Sequence, residues 1–290
     1  MLTIIKIVLG FMTGIFSFYL LKDVIKNRKL FSGKSWSGLL GTGFISNFFD
    51  TLGISSFAQQ TAIFKTFRLV DDRLIPGTLN VGNTIPTVAQ AFIFMTIVEV
   101  DLLTLVTMAM AAPVGGVLGA GIVAKMSRNK IQITMSVGLI IVALVVLAGL
   151  LNFMPLGGEA IGLRGWKLAF VIVMSFVFGA IQTIGIGIYG PFLALVYALG
   201  MHPATAFPIM MTSAAMPLVT GGARFIKEAA YDRKSAISMT IAGIVGVFLA
   251  AFVVKSLPLN ILKWTICGVL FYTSIMMFIS SKKKDPENIS

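Results

Sequence analysis

The sequence predicts an all-α polytopic membrane protein: two inverted repeats, each a re-entrant helical hairpin plus three transmembrane helices, and one extra N-terminal helix. Three observations carry this. Apolar runs of about 20 residues, the length a helix needs to cross a bilayer, recur along nearly the whole chain. Of its 290 residues 57% are hydrophobic and only 12% charged, against roughly 25% charged in an ordinary soluble domain. The basic residues lie in short loops between the apolar runs, where Lys and Arg set topology. The runs are too long and continuous for barrel strands.

The net charge of +12 does not point to nucleic acid, because the basic residues form no folded basic face. The one cysteine, Cys267, lies in an apolar run, which excludes a disulfide framework and a thiolate metal site. One histidine, His202, excludes ligation of haem or zinc by two histidines. No metal or other cofactor is expected. The first apolar run follows Lys6 and has no small-residue cleavage site after it, so it reads as a retained helix rather than a signal peptide.

Segment one spans about 2–21 and ends in the basic loop Lys22–Lys29, with Lys34 following. Segment two, about 36–64, is apolar yet carries Ser46, Asn47, Asp50, Thr51, Ser55, Ser56, Gln59 and Gln60. A carboxylate there costs roughly 2.5–3.5 kcal/mol on insertion scales. Segment three, 76–98, opens on Pro76, suited to a first helical turn, and holds Asn80, Asn83, Thr84 and Pro86. Glu99 and Asp101 make an acidic turn. Segment four, about 102–124, carries Gly115, Gly116, Gly119 and Gly121, which permit close helix approach. Segment five, about 131–151, leads into a loop with Pro155, Glu159, Arg164 and Lys167. Segment six, about 168–199, contains Gln182, Thr183, Gly185, Gly187, Tyr189 and Gly190. Segments seven (204–225, with Pro208, Thr212, Ser213 and Pro217), eight (235–254) and nine (261–279) follow. Lys255 and Pro258 lie between the last two, and a basic tail, Lys282–Lys284, ends the chain.

The chain matches itself. Gly43 falls on Gly179, and Gly116, Ala120, Lys125, Ile131 and Gly138 fall on Gly246, Ala250, Lys255, Ile261 and Gly268 at a constant offset. This divides it into an N-terminal helix and basic loop (1–35), repeat one (36–151), a connection (152–167), repeat two (168–280) and a tail (281–290). Full crossing by every segment would scatter Lys65, Arg68, Arg73, Lys125, Arg128 and Lys130 to the outside. Letting segments two and six enter and return on one side gathers the basic loops on the cytoplasmic side. The result is seven crossings and two hairpins in the cytoplasmic membrane, N-terminus outside and C-terminus inside, as in many secondary transporters.

With these features the chain resembles the sulfite exporter TauE/SafE family, also called the toluene sulfonate uptake permease family. The resemblance rests on a duplicated Gly-rich segment followed by a polar, proline-containing helix. The first copy reads Gly43-Phe-Ile-Ser-Asn-Phe-Phe-Asp-Thr-Leu-Gly53 with Pro76–Pro86. The second reads Gly185-Ile-Gly-Ile-Tyr-Gly-Pro191 with Phe207–Ser213. It implies a membrane transporter for a small sulfur-containing anion: sulfite, thiosulfate or an organosulfonate. Phe48, Phe49, Asp50 and Thr51 stand where that family carries a triple-glycine run, which bears on the substrate more than the fold.

A hairpin break presents the N-terminus of its returning half-helix, whose free N–H groups and partial positive charge suit an oxyanion. The substrate-binding candidates are Asn47, Asp50, Thr51, Gly53, Ser55, Ser56, Asn80, Asn83, Gln182, Thr183, Gly187, Tyr189, Thr212 and Ser213. The plainer alternative is that the glycines permit close packing and the polar residues join helices. Asp50 is the candidate for proton coupling, or else a structural carboxyl bonded to the other hairpin, to Asn80 or to Asn83. The coupling partner is a proton or a sodium ion, and a homodimer is an open alternative to a monomer. Lys65, Arg68 and Arg224 either attract anions or snorkel to the interface; His202 reads as a loop residue. The Gly185–Gly190 match to G-x-G-x-x-G lacks the strand a dinucleotide site needs. A scaffold and an intramembrane enzyme are the alternatives to a transporter; the lack of a G-x-S-x-G or H-E-x-x-H motif argues against the enzyme, and the lack of a Walker A motif against an ATP-driven pump.

Overall fold

Among the described residues, helices make up the regular structure, apart from an isolated bridge between Ala160 and Met201. The computed structural model describes residues 2–31, 35–153, 157–253 and 259–282. Lys34, Pro155, Lys255, Pro258, Lys283 and Lys284 lie outside them. In order the helices are α1 (Leu2–Lys26), α2 (Trp36–Thr51), α3 (Ser56–Thr66), α4 (Ile75–Ile97), α5 (Leu102–Val123), α6 (Arg128–Leu150), α7 (Gly165–Gln182), α8 (Tyr189–Ala198), α9 (Ala206–Lys227), α10 (Arg233–Val253) and α11 (Leu259–Ser281). One boundary moves appreciably. α1 continues through the start of the expected basic loop, because nothing from Lys22 to Lys26 breaks a helix and Asp23 is held there. Its carboxylate accepts from Tyr231 Oη at 2.6 Å and Arg233 Nε at 2.7 Å.

Helices α1, α5, α6, α7 and α10, and α9 with its preceding turn, are long and apolar enough to cross a membrane. Their outer faces are greasy: Ile7, Phe11 and Phe18 on α1, Val137, Ile141 and Leu144 on α6, and Ile241, Val245 and Phe252 on α10 are all exposed. Apolar surface on this scale is foreign to a monomeric soluble protein and fits acyl chains. The protein is a multi-pass helical membrane protein. α4 is the opposite case. Thr78, Asn80, Asn83, Thr84, Thr87 and Gln90 are all buried on it, because it is enclosed by protein, with α9 on one side and α10 on another.

The packing pairs elements across the two halves. α2 lies on α10 and α7 on α5; α4 meets α10 and α9 meets α5; α3 touches α11 and α8 touches α6. Glycines permit close approach in the α2–α10 and α5–α7 pairs. A Cβ on Gly43 would come within 2.7 Å of Met239 Cα, and one on Gly246 would meet the Phe44 carbonyl. On the other pair, a Cβ on Gly115 would strike the Phe176 carbonyl and one on Gly179 the Ala112 carbonyl. These four glycines, inside helices, are packing devices.

Contacts between loops sort the helix ends into two sets. At one end, Lys65 pairs with Asp72, and Gln132 Nε2 donates to Asp72 at 2.5 Å. Arg128 lies 3.6 Å from Asp71, Asp232 N donates to Thr78 Oγ1 at 2.9 Å, and Lys234 stands 4.9 Å from the Trp36 ring. The start of α2 and the end of α3 thus share an end of the bundle. At the other end, Lys167 Nζ, in the first turn of α7, donates to Leu199 O just after α8, at 3.1 Å. Segment six therefore also returns to the end it entered. There, Asp101 caps α5 by accepting from Thr104 N at 2.9 Å and takes both Arg164 guanidinium nitrogens at 2.8 and 2.9 Å.

Two predictions follow from this packing. Gly179→Ala forces Cβ into the Ala112 carbonyl, and overpacking of this kind costs about 1–3 kcal/mol. Its thermal midpoint in detergent should drop, whereas Gly38→Ala, with open space around it, should not. The Arg164 guanidinium holds the Asp101 carboxyl well below the usual carboxylate range. That contribution is present above an ordinary carboxylate pKa of about 4 and lost as pH falls through the lowered value. Arg164→Gln should therefore raise deuterium uptake at residues 158–164 already at neutral pH.

Candidate functional site

Two helix interruptions build the centre. After Thr51 the chain turns at Leu52–Ser55, with Gly53 at φ +87°. After Gln182 it leaves helix until Ile188, with Gly185 at φ +95°. Such backbone suits glycine, since an L side chain there is strained. Gly43, at the head of the first Gly-rich copy, lies inside α2 instead. The breaks meet where a Cβ on Gly187 would overlap the Ser55 hydroxyl.

Asp50, buried at the end of α2, ties the breaks together. Its Oδ1 accepts Ser56 N–H at 2.5 Å, which caps α3. Its Oδ2 accepts from Gln90 Nε2 at 2.9 Å and Tyr189 Oη at 3.1 Å. At the first break the protein's own carboxylate takes one of the expected free N–H groups, at the N-terminus of α3, where negative charge is favoured. Of the structural partners expected for Asp50, the other hairpin supplies one through Tyr189; Asn80 and Asn83 supply none, because each is committed elsewhere.

Asn83 joins both arms of the first hairpin to α4. Its Oδ1 accepts from Asn47 Nδ2 at 3.0 Å and Gln60 Nε2 at 2.9 Å, and its Nδ2 donates to Gln60 Oε1 at 2.6 Å. Asn80 Nδ2 donates to Pro76 O at 2.8 Å and reaches the Gln182 and Thr183 carbonyls at 3.4 Å. Thr51 Oγ1 donates to Asn47 O at 2.8 Å and accepts from Gln90 Nε2 at 3.1 Å. Several buried atoms have no partner among the described residues: Asn47 Oδ1, Asn80 Oδ1, Gln182 Oε1, Thr212 Oγ1 and Ser213 Oγ. Unpaired buried polar atoms are costly unless water or a ligand reaches them.

Two cavities adjoin the breaks. A chamber of about 10 Å³, the room of one water, is lined by Asp50, Ser55, Ser56, Thr87, Gln182, Gly187 and Tyr189 among others. A vestibule of about 450 Å³ is lined by Gly53, Ser55, Gly187, Tyr189, Gly190, Tyr197, Asn152 and apolar residues such as Val142, Leu193 and Phe207. It reaches the end of α6 and the start of α9, on the side carrying Asp101 and Arg164. Among the described residues no Lys or Arg lines either space. Its favourable feature for an anion is the first turn of α8 at Tyr189 and Gly190, whose helix dipole presents positive charge.

Residues 167–290 match the family model described as Sulfite exporter TauE/SafE. This is the family that the paired Gly-rich segments resemble. The match to the sulfite exporter family starts in the first turn of α7 and takes in the second break and α8 through α11. No curated protein and no solved structure matches the chain.

Of the fourteen sequence candidates, Asp50, Gly53, Ser55, Ser56, Gln182, Gly187 and Tyr189 line one or both cavities. Asn47, Thr51, Asn80, Asn83 and Thr183 form the hydrogen-bonded frame behind them, and Thr212 and Ser213 are buried on α9. Lys65 and Arg224 are remote from both spaces, paired with Asp72 and Glu228. His202 Nδ1 accepts from Ala204 N, an ordinary turn contact. Gln90 and Thr87 were missing from the sequence reading. Their signal was present: Asn80, Asn83, Thr87 and Gln90 recur at three- and four-residue steps, one stripe on a helix face.

Asn83→Leu removes all of Gln60's amide partners, an expected loss of about 1–3 kcal/mol per orphaned group. The double variant with Gln60→Leu should recover part of the lost thermal stability.

Proposed function

We propose that the protein is a secondary transporter. It moves a small sulfur-containing anion, such as sulfite, thiosulfate or an organosulfonate, across the cytoplasmic membrane by alternating access around the two breaks. The observation that carries this is a pair of interrupted helices meeting at Ser55 and Gly187 beside an open vestibule. The sulfite exporter match over the second break supports the substrate class.

In this reading the halves 36–151 and 168–280 are inverted repeats. The paired packing of α2 on α10 and α7 on α5 supports it, as does the return of each hairpin to its own end. The end bearing Lys65, Arg68, Arg128 and Arg233 is cytoplasmic by its basic charge, so the N-terminus is outside and the vestibule faces outward. The anion's head group lies at the first turn of α8 with Ser55 and Tyr189, and the apolar wall takes any organic body. Gln182, Thr212 and Ser213, with unpaired buried oxygens, line the path that opens in the inward-facing state. A scaffold would have no need of a polar, water-sized chamber between two broken helices, and the one histidine, the usual general base, makes a turn contact at His202.

Purified protein in proteoliposomes should take up radiolabelled sulfite or methanesulfonate in a saturable manner. Gly187→Ala, which pushes Ser55 away, should reduce that flux at least tenfold. Absence of saturable flux of any small sulfur oxyanion through folded protein would refute the reading.

A further inference from the structure

We propose that Asp50, Tyr189 and Gln90 form a proton-loading triad, with the Tyr189 hydroxyl hydrogen as its moving part. Tyr189 Oη lies 3.1 Å from both Asp50 Oδ2 and Gln90 Oε1. A phenol has one hydrogen to give and can also accept, so it serves one of these oxygens at a time. With Asp50 ionised, Tyr189 donates to Oδ2, as Gln90 Nε2 does at 2.9 Å, while Ser56 N–H holds Oδ1. With a proton on Oδ2, the carboxyl donates to Tyr189 Oη, and the phenol hydrogen turns to Gln90 Oε1. Gln90 Nε2 still donates to Oδ2, and Ser56 N–H still finds Oδ1. The carboxyl can gain or lose its proton without orphaning a donor.

The surroundings favour a proton as the charge that balances Asp50. α3 faces it with Ser56 and Phe57, α4 with Thr87 and Gln90, α7 with Gln182, α8 with Tyr189 and α9 with Leu218. α10 meets α2 through Met239 against Gly43 and Gly243 against Asn47. Tyr189 is the one other titratable group in that set. Among the described residues no cation stands beside Asp50, and a buried carboxylate so placed bears a desolvation cost of several kcal/mol, which protonation removes. A route exists as well. Ser55, Gly187 and Tyr189 line both the vestibule and the chamber, so a hydronium ion in the vestibule can hand its proton through the Tyr189 hydroxyl and leave as water.

Loading has a mechanical consequence. Asp50 caps α3 of the first hairpin and Tyr189 opens α8 of the second. A neutral carboxyl is a weaker acceptor for Ser56 N–H, so loading loosens the cap that joins them. It also removes the charge that would repel an anion at Ser55. On the transport reading, which this part rests on, one singly charged anion crosses with one proton and no net charge moves.

Proton binding is testable apart from transport. Infrared difference spectra of the full-length protein in liposomes, between alkaline and acidic sodium-free buffer, should show a protonated-carboxyl C=O band. Asp50→Asn should abolish it, and Tyr189→Phe, which keeps the ring and serves where Asp50→Asn fails to fold, should shift it. A missing band, or one unmoved by Tyr189→Phe, overturns the triad; so does protection against unfolding by sodium at constant pH in place of the band. For coupling, a one-unit pH gradient should drive about tenfold accumulation of methanesulfonate in the wild type, falling to none in Asp50→Asn. The band without anion flux would uphold proton loading and sink the transport reading, while flux indifferent to the gradient would overturn the coupling.

Discussion

A helix broken inside a membrane leaves N–H and C=O groups where there is no water to satisfy them. That constraint shapes the centre of this protein. At the first break the solution is a side chain: Asp50 folds onto Ser56 N–H and caps α3. The carboxylate then needs further donors, and Gln90 and Tyr189 supply them. Because Tyr189 belongs to the other broken helix, satisfying one backbone end links the two interruptions. The second break keeps its own first turn, at Tyr189 and Gly190, on the wall of the vestibule.

Polar groups elsewhere in the core follow from the same constraint. α4 is rich in Asn, Thr and Gln and would be a poor neighbour for lipid. Protein encloses it, and Asn83 spends its amide on Asn47 and Gln60. The greasy helices α1, α6 and α10 carry the exposed apolar faces. Glycines divide the work. Those inside helices, at 43, 115, 179 and 246, let backbones touch, while Gly53 and Gly185 adopt the conformations that let a helix stop.

Much of this could be read from the residues. Composition and run length made the protein helical and membrane-spanning, because hydrocarbon permits few alternatives. The Gly-rich stretches of segments two and six overlap the two interruptions, at 52–55 and 183–188, although the first stretch begins well inside α2. What went unread was partnership. Gln90 lies 40 residues from Asp50 in sequence and looks like any polar residue on a buried helix. Asn80 and Asn83 looked equally good as partners for Asp50. The packing sent Asn83 to Gln60 and Asn80 to the end of α7.

Local chemistry therefore decided the parts. An apolar run of sufficient length becomes a helix whatever surrounds it, a glycine at positive φ marks where it stops, and a lone aspartate in such a run is expensive wherever it lies. Only the tertiary structure decided what the aspartate does. Its cost depends on which donors reach it, and those come from α3, α4 and α8, brought together by glycine-mediated contacts between the two halves of the chain.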